Sequence, residues 1–258
     1  MWSITPVTIT ATRWPFPATK RLFAAMRLFR QLILIAVIAG VGVGVVTALL
    51  HEMTTAPLVI AAEALEGAAA DSGHGHDHGD GWAPGEGLPR QLYNIAAHVV
   101  GAIGFALLLL VASELAGGLR DGRHGVLWGL AGFASVTLAP GLGLPAELPG
   151  MLAADLTARQ VWWLATALAT AGGLALIVLT RRLPFALLGV GLLALPHGLG
   201  APPTPAAAAP ALAALHLDFA VWVLVVGLVS WAALGGALGL LRGRLLRPRP
   251  GAAPALEN

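Results

Sequence analysis

The chain has 258 residues, of which 57 % are hydrophobic and only 11 % are charged, and its formal net charge is +2. Soluble domains are roughly half apolar and about a quarter charged, so this composition indicates an integral membrane protein. The chain contains no cysteine, which excludes disulfides, thiolate metal sites and cysteine nucleophiles. A metal site here would need nitrogen or oxygen ligands, or methionine.

Residues 1–25 are predicted to be an N-terminal extension outside the membrane domain, because they show neither apolar periodicity nor a clear motif. Met26 begins "MRLFRQLILIAVIAG", which resembles an ordinary membrane-protein start, so the extension is interpreted as a tail or a misplaced start codon. The apolar run that follows is longer than a typical signal-peptide core, and no small-x-small cleavage site follows it closely. It therefore predicts an anchor.

Apolar runs over residues 26–241 predict an all-α, polytopic bundle of about six transmembrane helices. Five runs approach the roughly 20 residues that cross a hydrocarbon core of about 30 Å; they cover about 32–50, 92–113, 125–144, 160–180 and 217–241. The sixth, about 183–199, is short and ends near Pro196. Five spans are therefore the alternative.

The positive charges favour six spans with a cytoplasmic N-terminus. In that arrangement every lysine and arginine lies inside except Arg90 and Arg159, as the positive-inside rule requires. Without the sixth crossing, the basic, proline-rich tail 242–258 would lie outside. Residues 242–258 are therefore predicted to be cytoplasmic, and membrane insertion explains their charge without a nucleic-acid partner.

The predicted outer face is acidic and carries every histidine except His124. Such a face concentrates cations and offers them imidazole and carboxylate ligands. The stretch "HGHDHGDG" is too rich in glycine for a helix, and an extended chain points alternate side chains to one side. It predicts an external metal-capturing loop over residues 71–81, with a solvated low-complexity linker as the alternative; its candidate ligands are His74, His76, His78, Asp77 and Asp80.

Three further histidines are candidate metal ligands nearer the membrane. His51 ends the first run in "LLHEMTTAP", where Thr55 rules out a zinc-protease HExxH motif. His98 lies inside the second run, and an ionisable side chain in a span usually faces the bundle interior. It is either a ligand or a histidine hydrogen-bonded between helices. His197 flanks the last external loop.

The proline-rich stretch "LAPGLGLPAELPGM" places Glu147 at the outer end of the third and fourth runs. Its carboxylate is a candidate gate for an entering cation. The alternative is a purely structural loop in which Arg159 pairs with Asp155, four residues earlier. Glycines four residues apart, Gly40 with Gly44 and Gly125 with Gly129, predict close packing between helices of the same chain.

Several stretches together resemble a known family. "HGHDHGDGWAPGEGLPRQLYN", "LWGLAGFASVTLAPGLGLPAELPGM", "AADLTARQVWWLATALATAGGLAL" and "LPHGLGAP" are similar to the probable cobalt transporter subunit family CbtA, from about Met26 to Leu241. The resemblance implies a multi-pass protein of the bacterial inner membrane, usually described with five spans. It also implies cobalt as the transported substrate and a small single-span, histidine-bearing partner, CbtB.

Two functions therefore remain open. The first is a membrane subunit of a divalent-cation uptake transporter, in which the histidine loop captures the ion. The second is a membrane metal-binding accessory or assembly protein that carries nothing across. A continuous polar path through the bundle would favour the first. An enzyme is not predicted, because the chain lacks a GxSxG elbow and a zinc-binding His-Glu helix pair. Lys20, the only lysine, lies in no P-loop.

Overall fold

A computed structural model describes residues 17–69, 85, 87–203 and 210–246. Within these ranges the chain forms eight α-helices and one π-helical segment. They are α1 Pro17–Thr54, α2 Ala56–Ala69, α3 Leu88–Leu115, α4 Gly122–Gly132, the π segment Phe133–Leu138, α5 Ala139–Gly143, α6 Leu156–Thr180, α7 Leu183–Leu199 and α8 Pro210–Leu245. The predicted loop 71–81 and most of both terminal segments lie outside the described residues.

The prediction of an all-α membrane bundle is confirmed. In the described part of the chain, five helices are long and apolar enough to cross a membrane. They are Ala25–Thr54, Leu88–Leu115, Gly122–Gly143, Leu156–Thr180 and Pro210–Leu245. The sixth apolar run forms α7, which has 17 residues and is shorter than these five.

Two helices begin at aspartates whose side chains cap the first turn. Asp121 Oδ1 accepts a hydrogen bond from the backbone N–H of His124 at 2.9 Å, and Asp155 Oδ1 accepts one from Ala158 at 2.8 Å. Each satisfies a donor that the helix cannot satisfy internally. The bond from His124 holds the pKa of the exposed Asp121 carboxyl below its usual range. Local sequence thus fixes where α4 and α6 begin.

The glycine pair on α1 brings this helix against α3. A Cβ at Gly44 would lie 2.6 Å from the Cα of Val99, and one at Gly40 would lie 2.7 Å from the Cα of Ile103. Only glycine allows backbones to approach so closely. The predicted packing role of this pair is confirmed.

The second glycine pair packs α4 against α8. A Cβ at Gly125 would collide with the carbonyl of Gly235, and one at Gly129 with the carbonyl of Trp231. Glycines on both helices therefore let them run side by side. This predicted packing is confirmed as well.

The bundle has two ends, which we name by their side chains. At the histidine end, the rings of His51 and His98 contact each other, His197 contacts Trp162, and His216 Nε2 donates to the carbonyl of Ala146. Ala62, Leu148 and Leu212 pack together at the same end. At the arginine end, Arg242 of α8 binds Glu114 of α3.

The short helix α7 runs antiparallel along α6. Gly173 of α6 and Gly189 of α7 meet at mid-length, and His197 lies against Trp162 near the start of α6. With a rise of 1.5 Å per residue, a helix of this size is about 25 Å long. α7 therefore extends beside α6 from Thr180 to the histidine end of the bundle.

Candidate functional site

The close packing of α1 and α3 brings two predicted metal ligands together. His51 and His98 are 47 positions apart in the sequence, yet their ring centroids are 4.8 Å apart, with the rings tilted by 40°. The contact depends on Gly44, where a Cβ would lie 2.9 Å from the carbonyl oxygen of His98. The two imidazoles form a pair at the histidine end of the bundle.

Hydrogen bonds within each helix fix the tautomer of both rings. His98 Nδ1 lies 2.9 Å from the carbonyl oxygen of Asn94 and must donate to it, because a carbonyl only accepts. His51 Nδ1 lies 2.8 Å from Thr55 Oγ1, whose own proton goes to the carbonyl of His51. His51 Nδ1 is therefore also a donor. In the neutral form of each ring, Nε2 is then the nitrogen that carries the lone pair, as in histidines that bind metals.

The ring separation suits two ligands of one metal ion. With a metal–nitrogen distance of about 2.0–2.1 Å, a ring centroid lies about 3.2 Å from the ion, so bond angles of about 90–109° put two centroids about 4.5–5.2 Å apart. The observed 4.8 Å falls within that interval. No group of three or more histidine, aspartate or glutamate side chains in the described residues could hold a metal. The pair alone offers two ligands, which is a weak site.

A cavity of about 360 Å³ lies beside His98, between α1, α3 and α8. Thr47, Ser230 and Trp231 also line it, and Thr47 Oγ1 donates to Ser230 Oγ at 2.8 Å. Thr47 precedes His51 by one helical turn, so both side chains lie on one face of α1. The hydroxyls of Thr47 and Ser230 thus lie inward of the histidine pair, on the wall of an otherwise largely apolar cavity.

The floor of the cavity is aromatic and apolar. The rings of Phe105 and Trp231 are 4.8 Å apart, and Trp231 Nε1 donates to Thr137 Oγ1 at 3.0 Å. Ile35, Leu110 and Leu238, each at most 1 % exposed, belong to the apolar core that joins this floor to the arginine end. Among the described residues, the hydroxyl-bearing part of the cavity wall therefore ends at Trp231.

Most carboxylates at the histidine end already have partners. Arg90 binds both oxygens of Glu63, at 2.7 and 3.1 Å. Gln91 Nε2 donates to Glu52 at 3.1 Å.

Glu147, the predicted gate, pairs with Arg159 at 2.8 Å, and its side chain is only 18 % exposed. The sequence-based alternative assigned Arg159 to Asp155. In the structure Asp155 caps α6 instead, so Arg159 remains available to the loop carboxylate.

The other predicted site residues do not join the pair. His197 is exposed at the end of α7, with its ring centroid 6.1 Å from that of Trp162. Because α7 packs against α6 rather than α1 or α3, His197 is separate from His51 and His98. The loop ligands His74, His76, His78, Asp77 and Asp80 lie outside the described residues.

Sequence reasoning missed three polar residues of this site: Thr47, Thr55 and Ser230. Thr47 and Thr55 each lie four positions from His51, a spacing that places them on its helix face. Ser230 interrupts the long apolar run of α8, and that interruption was a usable signal.

The fold and site define a polytopic helical membrane protein with paired histidines beside a largely apolar cavity that carries two hydroxyls. The family described as "Probable cobalt transporter subunit (CbtA)" matches residues 29–243. The chain belongs to this family, as the sequence resemblance implied. No curated protein and no solved structure matches the chain.

Proposed function

We propose that the chain is the membrane subunit that receives a divalent cation, cobalt, at the histidine end and admits it to the cavity between α1, α3 and α8. The observation that carries this proposal is the His51–His98 pair, whose ring centroids lie 4.8 Å apart and of which His98 lines the cavity. The family of the chain supports cobalt as the transported substrate.

A two-ligand site suits an ion in transit. A conducting site must bind well enough to admit the ion and weakly enough to release it. The loop 71–81 would raise the local ion concentration and hand the ion to His51 and His98, with hydroxyls of the cavity and water completing its coordination. CbtB, the single-span partner implied by the family, would act with this chain in the bacterial inner membrane.

A second candidate function is metal binding without translocation. The apolar core below Trp231 supports it, because no polar path through the described residues continues to the arginine end. The two functions differ in whether the ion crosses the bilayer.

The experiment that tests the proposal is ⁵⁷Co²⁺ uptake into proteoliposomes, with and without the single-span partner. The double variant His51→Ala/His98→Ala should lose uptake and cobalt binding. The matched control is His124→Ala, which removes an imidazole at the arginine end. Parental uptake by the double variant would refute the assigned route. Parental binding of cobalt with no uptake by any form of the chain would establish the accessory function instead.

A further inference from the structure

The cavity is closed toward the arginine end by α3 and α8. At its floor, the ring of Phe105 on α3 contacts the ring of Trp231 on α8, with the two rings tilted by 46°. Nine residues further along α3, Glu114 binds Arg242 of α8, so the two contacts lie about 14 Å apart along the same seam. Between them lie the buried side chains of Leu110, Leu234 and Leu238.

The ion pair at the end of this seam is held by three hydrogen bonds. Arg242 Nε donates to Glu114 Oε1 at 2.5 Å and Nη2 to Oε2 at 2.9 Å, while Nη1 donates to the carbonyl of Leu119 at 2.6 Å. The guanidinium fork therefore ties α8 both to α3 and to the turn before α4. Such two-point geometry is specific to arginine.

The turn between α3 and α4 is shaped around the guanidinium. Gly118 has a φ of +80°, and a Cβ at this position would collide with Arg242. Only glycine adopts this conformation readily and leaves the space. The ion pair is thus a built contact between helix ends rather than a chance surface pairing.

We propose that Glu114 and Arg242 form a latch that keeps the cavity closed toward the arginine end. Releasing the latch lets α3 and α8 part along the Phe105–Trp231 seam and exposes the cavity to that side. The side chains of Arg242 and Glu114 are 21 % and 25 % exposed, so water can replace the bonds when the helices separate. That this opening passes the cation rests on the proposed function; the latch itself does not.

The absence of cysteine in the chain allows a direct test. Ala102, which lines the cavity, is replaced by Cys, and its labelling by a membrane-impermeant maleimide is timed from each face of oriented vesicles. Ser72→Cys and Asn258→Cys, made separately, identify the two faces. The labelling rates are compared with and without Arg242→Gln or Glu114→Gln.

Each latch variant should raise labelling from the arginine end about tenfold, because a hydrogen-bonded charged pair is worth at least about 1.4 kcal/mol, a factor of ten. Arg242→Lys, which keeps the charge but loses the fork, should give a smaller rise. The swap Glu114→Arg/Arg242→Glu should return the rate toward that of the parent. Arg244→Gln, an exposed arginine two residues along α8, is the control and should change nothing.

Unchanged labelling from the arginine end in the folded Arg242→Gln and Glu114→Gln proteins would overturn the latch. If those variants unfold, Arg242→Lys decides, and an unchanged rate in that variant would also overturn it. Cobalt uptake is measured separately, so a working latch in a chain that transports no cobalt refutes the proposed function alone.

Discussion

The rings of His51 and His98 are oriented by acceptors one helical turn away on their own helices. Thr55 follows His51 by four residues, and Asn94 precedes His98 by four. These local bonds set both tautomers before any ion arrives. In the neutral form of each ring, Nε2 is therefore the nitrogen that offers its lone pair to an arriving cation.

We predict that Thr55→Val weakens Co²⁺ binding about tenfold, because removing the partner of a ligating histidine's second nitrogen typically costs 10–100-fold in affinity. Valine keeps the shape of threonine and removes the acceptor. Thr54→Val is the matched control, since Thr54 Oγ1 donates to the carbonyl of Leu50 at 2.7 Å rather than to a histidine. Isothermal titration calorimetry in detergent measures the Co²⁺ affinity of both variants. Equal affinities would contradict the orienting role of Thr55.

The ion pair of Glu147 with Arg159 leads to a second prediction at this scale. Glu147→Gln removes the negative charge but keeps the side chain's shape, so we expect cobalt uptake at the parental rate. We also expect a loss of stability of up to about 1 kcal/mol, the upper range for partly exposed pairs. An uptake assay at equal expression measures the first effect, and thermal unfolding in detergent measures the second. Lost uptake with unchanged expression would contradict this expectation and support the predicted gating role of Glu147.

Helix packing sets the separation of the histidines at the scale of elements. Gly44 packs against the backbone beside His98. The distance between α1 and α3 therefore also sets the distance between the two imidazoles. Gly42 lies only two residues away, but nothing lies within 4 Å of a Cβ at that position. On α1, Gly44 therefore packs against α3, whereas Gly42 packs against no other helix.

We predict that Gly44→Ala lowers both stability and cobalt affinity, whereas Gly42→Ala lowers neither. Overpacking at Gly44 should cost about 1–3 kcal/mol and push α3 away from α1. Alanine at Gly42 meets no neighbour and should slightly favour the helix. Thermal unfolding measures the stability of both variants, and calorimetric titration measures their cobalt affinity. Parental affinity in the Gly44→Ala protein would show that the packing of α1 against α3 does not set the metal site.

Sequence predicted the elements better than the contacts between them. Apolar runs reveal membrane helices because lipid leaves the backbone few alternatives, and glycines four residues apart correctly predicted two packing faces. The structural alternative for the loop pairs Arg159 with Asp155 by proximity in sequence, whereas the folded loop brings Glu147 to Arg159. The contact of Thr47 with Ser230, 183 positions apart, depends on how α1 meets α8, and no local pattern encodes that.

The whole molecule divides into an open half and a sealed half. Toward the histidine end lie the cavity, the His51–His98 pair and the hydroxyls of Thr47 and Ser230. Apolar side chains and the Glu114–Arg242 pair fill the other half. Capture of an ion needs only the first half. Translocation needs the second half to open as well, so the two candidate functions are distinguished by the movement of α3 relative to α8.

The last prediction concerns the number of crossings. Leu32 near the start of α1 and Leu246 after α8 pack on the same apolar cluster at the arginine end, so the chain enters and leaves the bundle at one end. We therefore expect an even number of crossings, with α7, which lies along α6 from Thr180 to Trp162, as the sixth. From the arginine asymmetry we predict that this end is cytoplasmic.

We therefore expect a reporter after Asn258 to read cytoplasmic and one inserted at Ser72 to read external. A reporter within 204–209 should read external, and one between Arg181 and Arg182 cytoplasmic, because α7 separates these two positions. Paired phosphatase and fluorescent-protein fusions at each site measure this, with equal expression as the control. If the reporters on both sides of α7 read from the same face, α7 re-enters without crossing. The bundle would then have five spans, and α8 would have to cross in the opposite direction, with its arginines outside.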